Sequence, residues 1–185
     1  MSKHTNFLMS KIYLSILLLS LCLVGTVTAQ AGEHKSRYAT LSYTNNQVLR
    51  EFNNNMRMNK KLRYSMRKKN VVNVADEVLA KADIIIEKVQ VVLDMFPNKY
   101  HIRLVVVPDS SDVARIYKKK YGKRVNHIAY YSLSEKTIYI SADDASLRVL
   151  AHEIGHSVVD HYFKVRPPYN IHELMAQFAE KHVTD

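Results

Sequence analysis

Cysteine is almost missing from this 185-residue chain, and its one occurrence, Cys22, lies in an apolar run near the amino terminus. If that segment is removed, no disulfide can form, so stability has to come from an apolar core, to which a bound metal can add. The apolar run itself, residues 12–24 (IYLSILLLSLCLV), falls short of the roughly 20 residues that a helix needs to cross a bilayer. It follows Lys3 and Lys11 and precedes the small-x-small triplet Ala29-Gln30-Ala31, which predicts a signal peptide over residues 1–31. Lipid attachment at Cys22 is disfavoured by the bulky Leu21 before it. The expected product is exported, secreted or periplasmic, with no stable membrane span once the signal is gone. Internal repeats are also lacking.

The chain is basic, with a formal net charge of +10 that falls to +8 when residues 1–31, carrying two lysines and no acid, are removed. Outside the cytoplasm a basic surface suits anionic cell-envelope polymers, lipid headgroups or acidic proteins. The 47% hydrophobic content is ordinary for one globular domain. Residues 32–56 are polar and asparagine-rich and read as a lead-in or a first irregular strand. Seven basic residues and no acid lie between Arg57 and Lys69, where alternating Leu62, Tyr64 and Met66 predict an edge strand. As a nucleic-acid surface this stretch would need a cytoplasmic or nuclear protein, and the export signal argues against that. The globular domain is therefore expected over residues 57–185.

Apolar residues recur at helical spacing from Val71 to Phe96, and Pro97 ends the pattern, so a long packing helix is expected. Ile102 to Val107 reads as a buried strand, a basic helix follows to about Gly122, and residues 128–133 and 137–141 read as a hairpin. Asp143 or Asp144 is positioned to cap the next helix, which runs to about Phe163. After Pro167 and Pro168, Asn170 opens a last helix to about Val183.

On the penultimate helix, residues 152–156 read HEIGH, an H-E-x-x-H pattern. Four residues advance a helix by about 400°, so His152 and His156 lie roughly 40° apart on one face, separated by about 6 Å of rise, and both reach one ion. Glu153, beside the first imidazole, is placed to take a proton from a water that zinc has acidified. Zinc is the expected cofactor, because a structural site usually carries cysteines and has no use for this glutamate. The third ligand is open on spacing alone. Position 162, where a metzincin has histidine, is Tyr162, and His161 is rotated about 140° from His156 round the helix. Glu173 and His172, at the start of the final helix, remain. Asn170 and Glu173 also have capping-box spacing, which would give the glutamate a purely local task.

The stretches TIYIS, LRVLAHEIGHSVVDHYF and PPYNIHELMAQFAEKH together resemble the gluzincin branch of zinc metallopeptidases, especially minigluzincins and peptidase-MA-like domains. The resemblance is strongest over residues 137–182. It implies an α+β, compact zincin-like domain with a small mixed sheet, a long packing helix, an active-site helix and a carboxy-terminal helix bringing the third ligand. It further implies His152, His156 and Glu173 as metal ligands, Glu153 as general base, and a peptide or protein as substrate. Two positions depart from the family pattern: Leu174 stands where many relatives have glycine, and Gln177 where some have an acid supporting a histidine. Asp160, Tyr169, His172 and Gln177 are candidates for supporting the ligands or stabilising an oxyanion, and Tyr130 and Tyr131 on the hairpin share the second task. The strand at 128–132 is a candidate edge for an extended peptide. The rival from another class is an exported, non-catalytic binding domain that keeps the fold.

Overall fold

A computed structural model describes residues 33–185, and the expected signal peptide lies outside these described residues. They form six helices and five strands in a mixed α/β arrangement compatible with α+β. The strands are β1 (Glu33–Lys35), β2 (Ala39–Tyr43), β3 (Ile102–Val107), β4 (Ala129–Ser132) and β5 (Thr137–Ser141). The helices are α1 (Asn46–Asn55), α2 (Lys60–Met66), α3 (Val74–Leu93), α4 (Ser110–Tyr121), α5 (Leu147–Tyr162) and α6 (Tyr169–His182). The sheet order is β1-β2-β3-β5-β4, with parallel pairing in the middle and an antiparallel strand at each edge.

Strand alternation sorts the core into two layers. Leu104 and Val106 of β3, Ile138 and Ile140 of β5 and Ala129 of β4 face the main core, which α1, α3 and α5 complete. Their neighbours Val105, Val107, Tyr139 and Tyr130 face the other way and pack on Val113, Ile116 and Tyr117 of α4. The long helix α3 starts with a full capping box between Asn73 and Asp76 and stops at Asp94, whose φ of 51° is left-handed. Gly122 ends α4 at φ 71°, as a glycine C-cap does. No described helix is long and apolar enough to cross a membrane.

Three expectations need correcting. The segment read as a lead-in contributes β1, β2 and α1 to the core: Leu41 and Phe52 are fully buried, and Asp83 of α3 accepts hydrogen bonds from Ser36 Oγ (2.7 Å) and the Tyr38 amide (3.3 Å). The basic stretch expected as an edge strand is instead helix α2. Met58, Leu62 and Met66, four residues apart, turn to the core, while Tyr64 is 61% exposed, so the period is helical. The cap of α5 is Ser146, whose hydroxyl accepts from the Val149 amide, whereas Asp144 takes a hydrogen bond from Ser141 Oγ.

Candidate metal centre and cleft

Helix α5 buries Leu147, Leu150, Ala151, Ile154 and Val158 against the core and leaves His152 and His156 partly buried, one turn apart. Helix α6 returns alongside it. The two helices run close together at Gly155, where an added Cβ would lie 2.9 Å from Ala176 Cα and 3.2 Å from Ala179 Cβ. Small residues on both helices permit this spacing, and the same crossing carries Glu173 to the two imidazoles.

His152 Nε2 lies 3.1 Å from His156 Nε2, and the Glu173 carboxylate oxygens lie 3.4 Å from the first nitrogen and 3.5 Å from the second. Four tetrahedral ligands at the usual zinc distances would be separated by about 3.3 Å. The two imidazoles face each other, and each faces one of the two carboxylate oxygens, at close to that spacing; one donor atom from each residue lies within 4.8 Å of the others, a His/His/Glu group able to hold a metal. Burial and the neighbouring His152 and His172 rings push His156 down to about 3, so it is neutral, the form that binds a metal. Glu173 makes no capping box, because α6 begins after Pro168 without a side-chain cap.

Each imidazole is held from behind by α6. His152 Nδ1 lies 3.0 Å from Glu180 Oε2, which makes it a donor to that carboxylate and leaves the Nε2 lone pair facing Glu173. His156 Nδ1 lies 2.8 Å from His172 Nδ1, and one proton must sit between the two nitrogens. For Nε2 of His156 to accept a metal, that proton belongs to His156, and His172 then carries its own on Nε2. This second nitrogen is buried without a partner among the described residues. Gln177 Nε2 donates to Glu173 Oε1 at 3.2 Å.

Glu153 is 8% exposed, and burial, followed by the Glu173 and Glu180 charges, raises its carboxyl to about 8 against the opposing Tyr131 amide. That amide lies on the outer edge of β4. Ser141 N–H donates to Ile128 C=O, and the alternation of an antiparallel ladder then turns the Ala129 and Tyr131 backbone groups outward.

Other predicted residues divide clearly. Asp160 accepts from the Tyr131 hydroxyl (2.7 Å) and pairs with Lys136, tying the hairpin to α5 without touching any of the three donors. Tyr130 packs toward α4 with its hydroxyl buried. Tyr169 is 74% exposed on the cleft wall. His161 packs edge-on to Tyr100, away from the centre.

Comparisons with protein-family models, curated proteins and solved structures give no match. The chemistry of the site must therefore carry the assignment. A cleft of about 540 Å³ contains His152, Glu153, His156 and Glu173 and runs along β4. A larger hollow of about 950 Å³ over α2 is lined, among the described residues, by Tyr64 and four cations, which include no carboxylate and no imidazole. Sequence reasoning missed Glu180 and Arg166. Glu180 had a readable signal, since it follows Glu173 by two helical turns and shares its face. Arg166 lines the cleft from the loop before the double proline, where no periodicity points to it.

Proposed function

We propose that the protein is an exported zinc metallopeptidase of gluzincin type with a zincin-like fold. The reading rests on one observation: Nε2 of His152, Nε2 of His156 and the Glu173 carboxylate meet at coordination spacing beside the buried Glu153. Zinc held by these residues would supply Lewis acidity, polarising a carbonyl and acidifying water. Glu153 takes the proton as the water oxygen bonds to the carbonyl carbon, and returns it to the amine nitrogen as the C–N bond breaks. The outward backbone groups of Ala129 and the Tyr131 carbonyl are hooks for an extended substrate, the Tyr131 N–H being held by Glu153. Among Tyr130, Tyr131 and Tyr169, the last is the one placed to donate to the developing oxyanion, since Tyr131 is bonded to Asp160 and the Tyr130 hydroxyl is buried. A net charge of +8 over residues 32–185 favours an anionic cell-envelope surface as surroundings.

The test is zinc per chain, by elemental mass spectrometry, for residues 32–185 and for the Glu173→Ala variant prepared identically. About one zinc in the parent and a large loss in the variant support the centre. A folded parent without zinc overturns it in favour of a binding domain, and equal zinc in both removes Glu173 as a ligand.

The braces behind the ligands have a separate signature. Glu180→Gln weakens the acceptor that fixes the His152 tautomer, and loss of such a partner typically costs about 10–100-fold in metal affinity. Chelator competition should show a weakening of that order. Unchanged affinity would reduce the Glu180 contact to surface pairing.

A further inference from the structure

Outside its reacting centre the cleft carries charge of one sign. Apart from Glu153 and Glu173, the side chains lining it include no carboxylate, and Arg166 is the one permanent cation. Its outer wall is aromatic: Tyr117 and Tyr121 of α4, His127 and Tyr130 contact one another ring to ring. The loop after α4 leaves this wall at Tyr121 and returns to it at His127, and Lys123 and Arg124 belong to that loop. Both are exposed, as is Arg166 of the cleft lining. Among the described residues none of the three is paired with an acid, although nearby Arg115 and Lys120 are taken up by Asp112 and Glu135.

A cleft with an unpaired arginine in its lining, two more unpaired cations in the loop that joins its aromatic wall, and tyrosines along that wall is complementary to a chain that brings both negative charge and flat or apolar groups. We propose that this cleft selects acidic peptide segments, with glutamate or aspartate side chains beside the scissile bond meeting Lys123, Arg124 and Arg166. This deepens the peptidase reading and rests on it. The general basic balance does not account for the pattern, because the acids near the cleft are already occupied: Glu135 by Lys120, Asp160 by Lys136 and Tyr131, and Glu180 by His152.

The experiment uses two peptides identical except for Glu or Ala on both sides of the cleaved bond, with products followed by mass spectrometry. At low ionic strength the Glu peptide is expected to be cut about tenfold faster, and the ratio should shrink as added salt screens these cations. In the Lys123→Glu/Arg124→Glu double variant the ratio should fall to one or below. Equal cleavage of the two peptides at low salt overturns the inference and leaves the peptidase reading intact. If neither peptide is cut, the peptidase reading fails, and fluorescence anisotropy of the same labelled peptides on the Glu153→Gln protein decides the inference. Tighter binding of the Glu peptide sustains acidic recognition. Equal binding overturns it, and capture of heparin under those conditions would assign these cations to an anionic glycan.

Discussion

Replacing Glu153 with Gln should slow peptide hydrolysis by about 10²–10⁴-fold, the range typical for loss of a positioned general base, while bound zinc and melting temperature stay at or above the parent's. The separation follows from where the carboxylate sits. It is almost fully buried, and the charges of Glu173 and Glu180 oppose its ionisation. An amide of the same shape keeps the acceptor for the Tyr131 N–H, makes no bond to the metal donors, and removes a group whose charged form burial disfavours. Activity therefore falls without a corresponding loss of fold. Turnover of substrate alongside zinc content and calorimetric melting checks the prediction. Retained turnover would move the base elsewhere, and a zinc-loaded parent that cuts nothing would favour the non-catalytic binding domain.

The second large effect lies away from the chemistry. Gly155→Val places a branched side chain where even a Cβ would be 2.9 Å from the Ala176 backbone. The listening partner is a main-chain atom, so no rotamer change relieves the overlap and α6 has to move. Overpacking of this kind costs about 1–3 kcal/mol. The movement also carries Glu173, His172 and Glu180 away from their partners on α5. The variant should therefore lose stability and most of its metal affinity together, although position 155 supplies no ligand atom. Denaturant unfolding and zinc titration on the same preparation test this. Destabilisation with full zinc affinity would show that the site tolerates a shifted α6.

Much of this arrangement was legible beforehand because its signals are local. The period of α3, the buried run of β3, the Ser-Glu-Lys turn between β4 and β5, and the prolines before α6 each announce an element within a few residues. The H-E-x-x-H spacing similarly brings two imidazoles together without knowledge of the fold. What escaped depends on distant partners. Val48, Leu49 and Phe52 are set among asparagines, and α1 is stabilised by the core it meets rather than by its own composition. In α2 the alternation of Leu62, Tyr64 and Met66 competed with the four-residue spacing from Met58, and the core selected the second. Glu180 becomes meaningful only once Gly155 and Ala176 set how closely the two helices run.

The outer edge of β4 has a consequence for solubility. A strand left open for a substrate is equally open to another copy of the same chain, the usual start of edge-to-edge aggregation. Here the strand is four residues long, and the buried Glu153 carboxylate faces the Tyr131 amide where a neighbouring strand would have to continue. A foreign strand running past that point would find the Tyr131 N–H already taken. The side chain proposed to handle protons is thus also a guard against self-association, and Glu153→Gln, which retains the acceptor, should leave that guard in place.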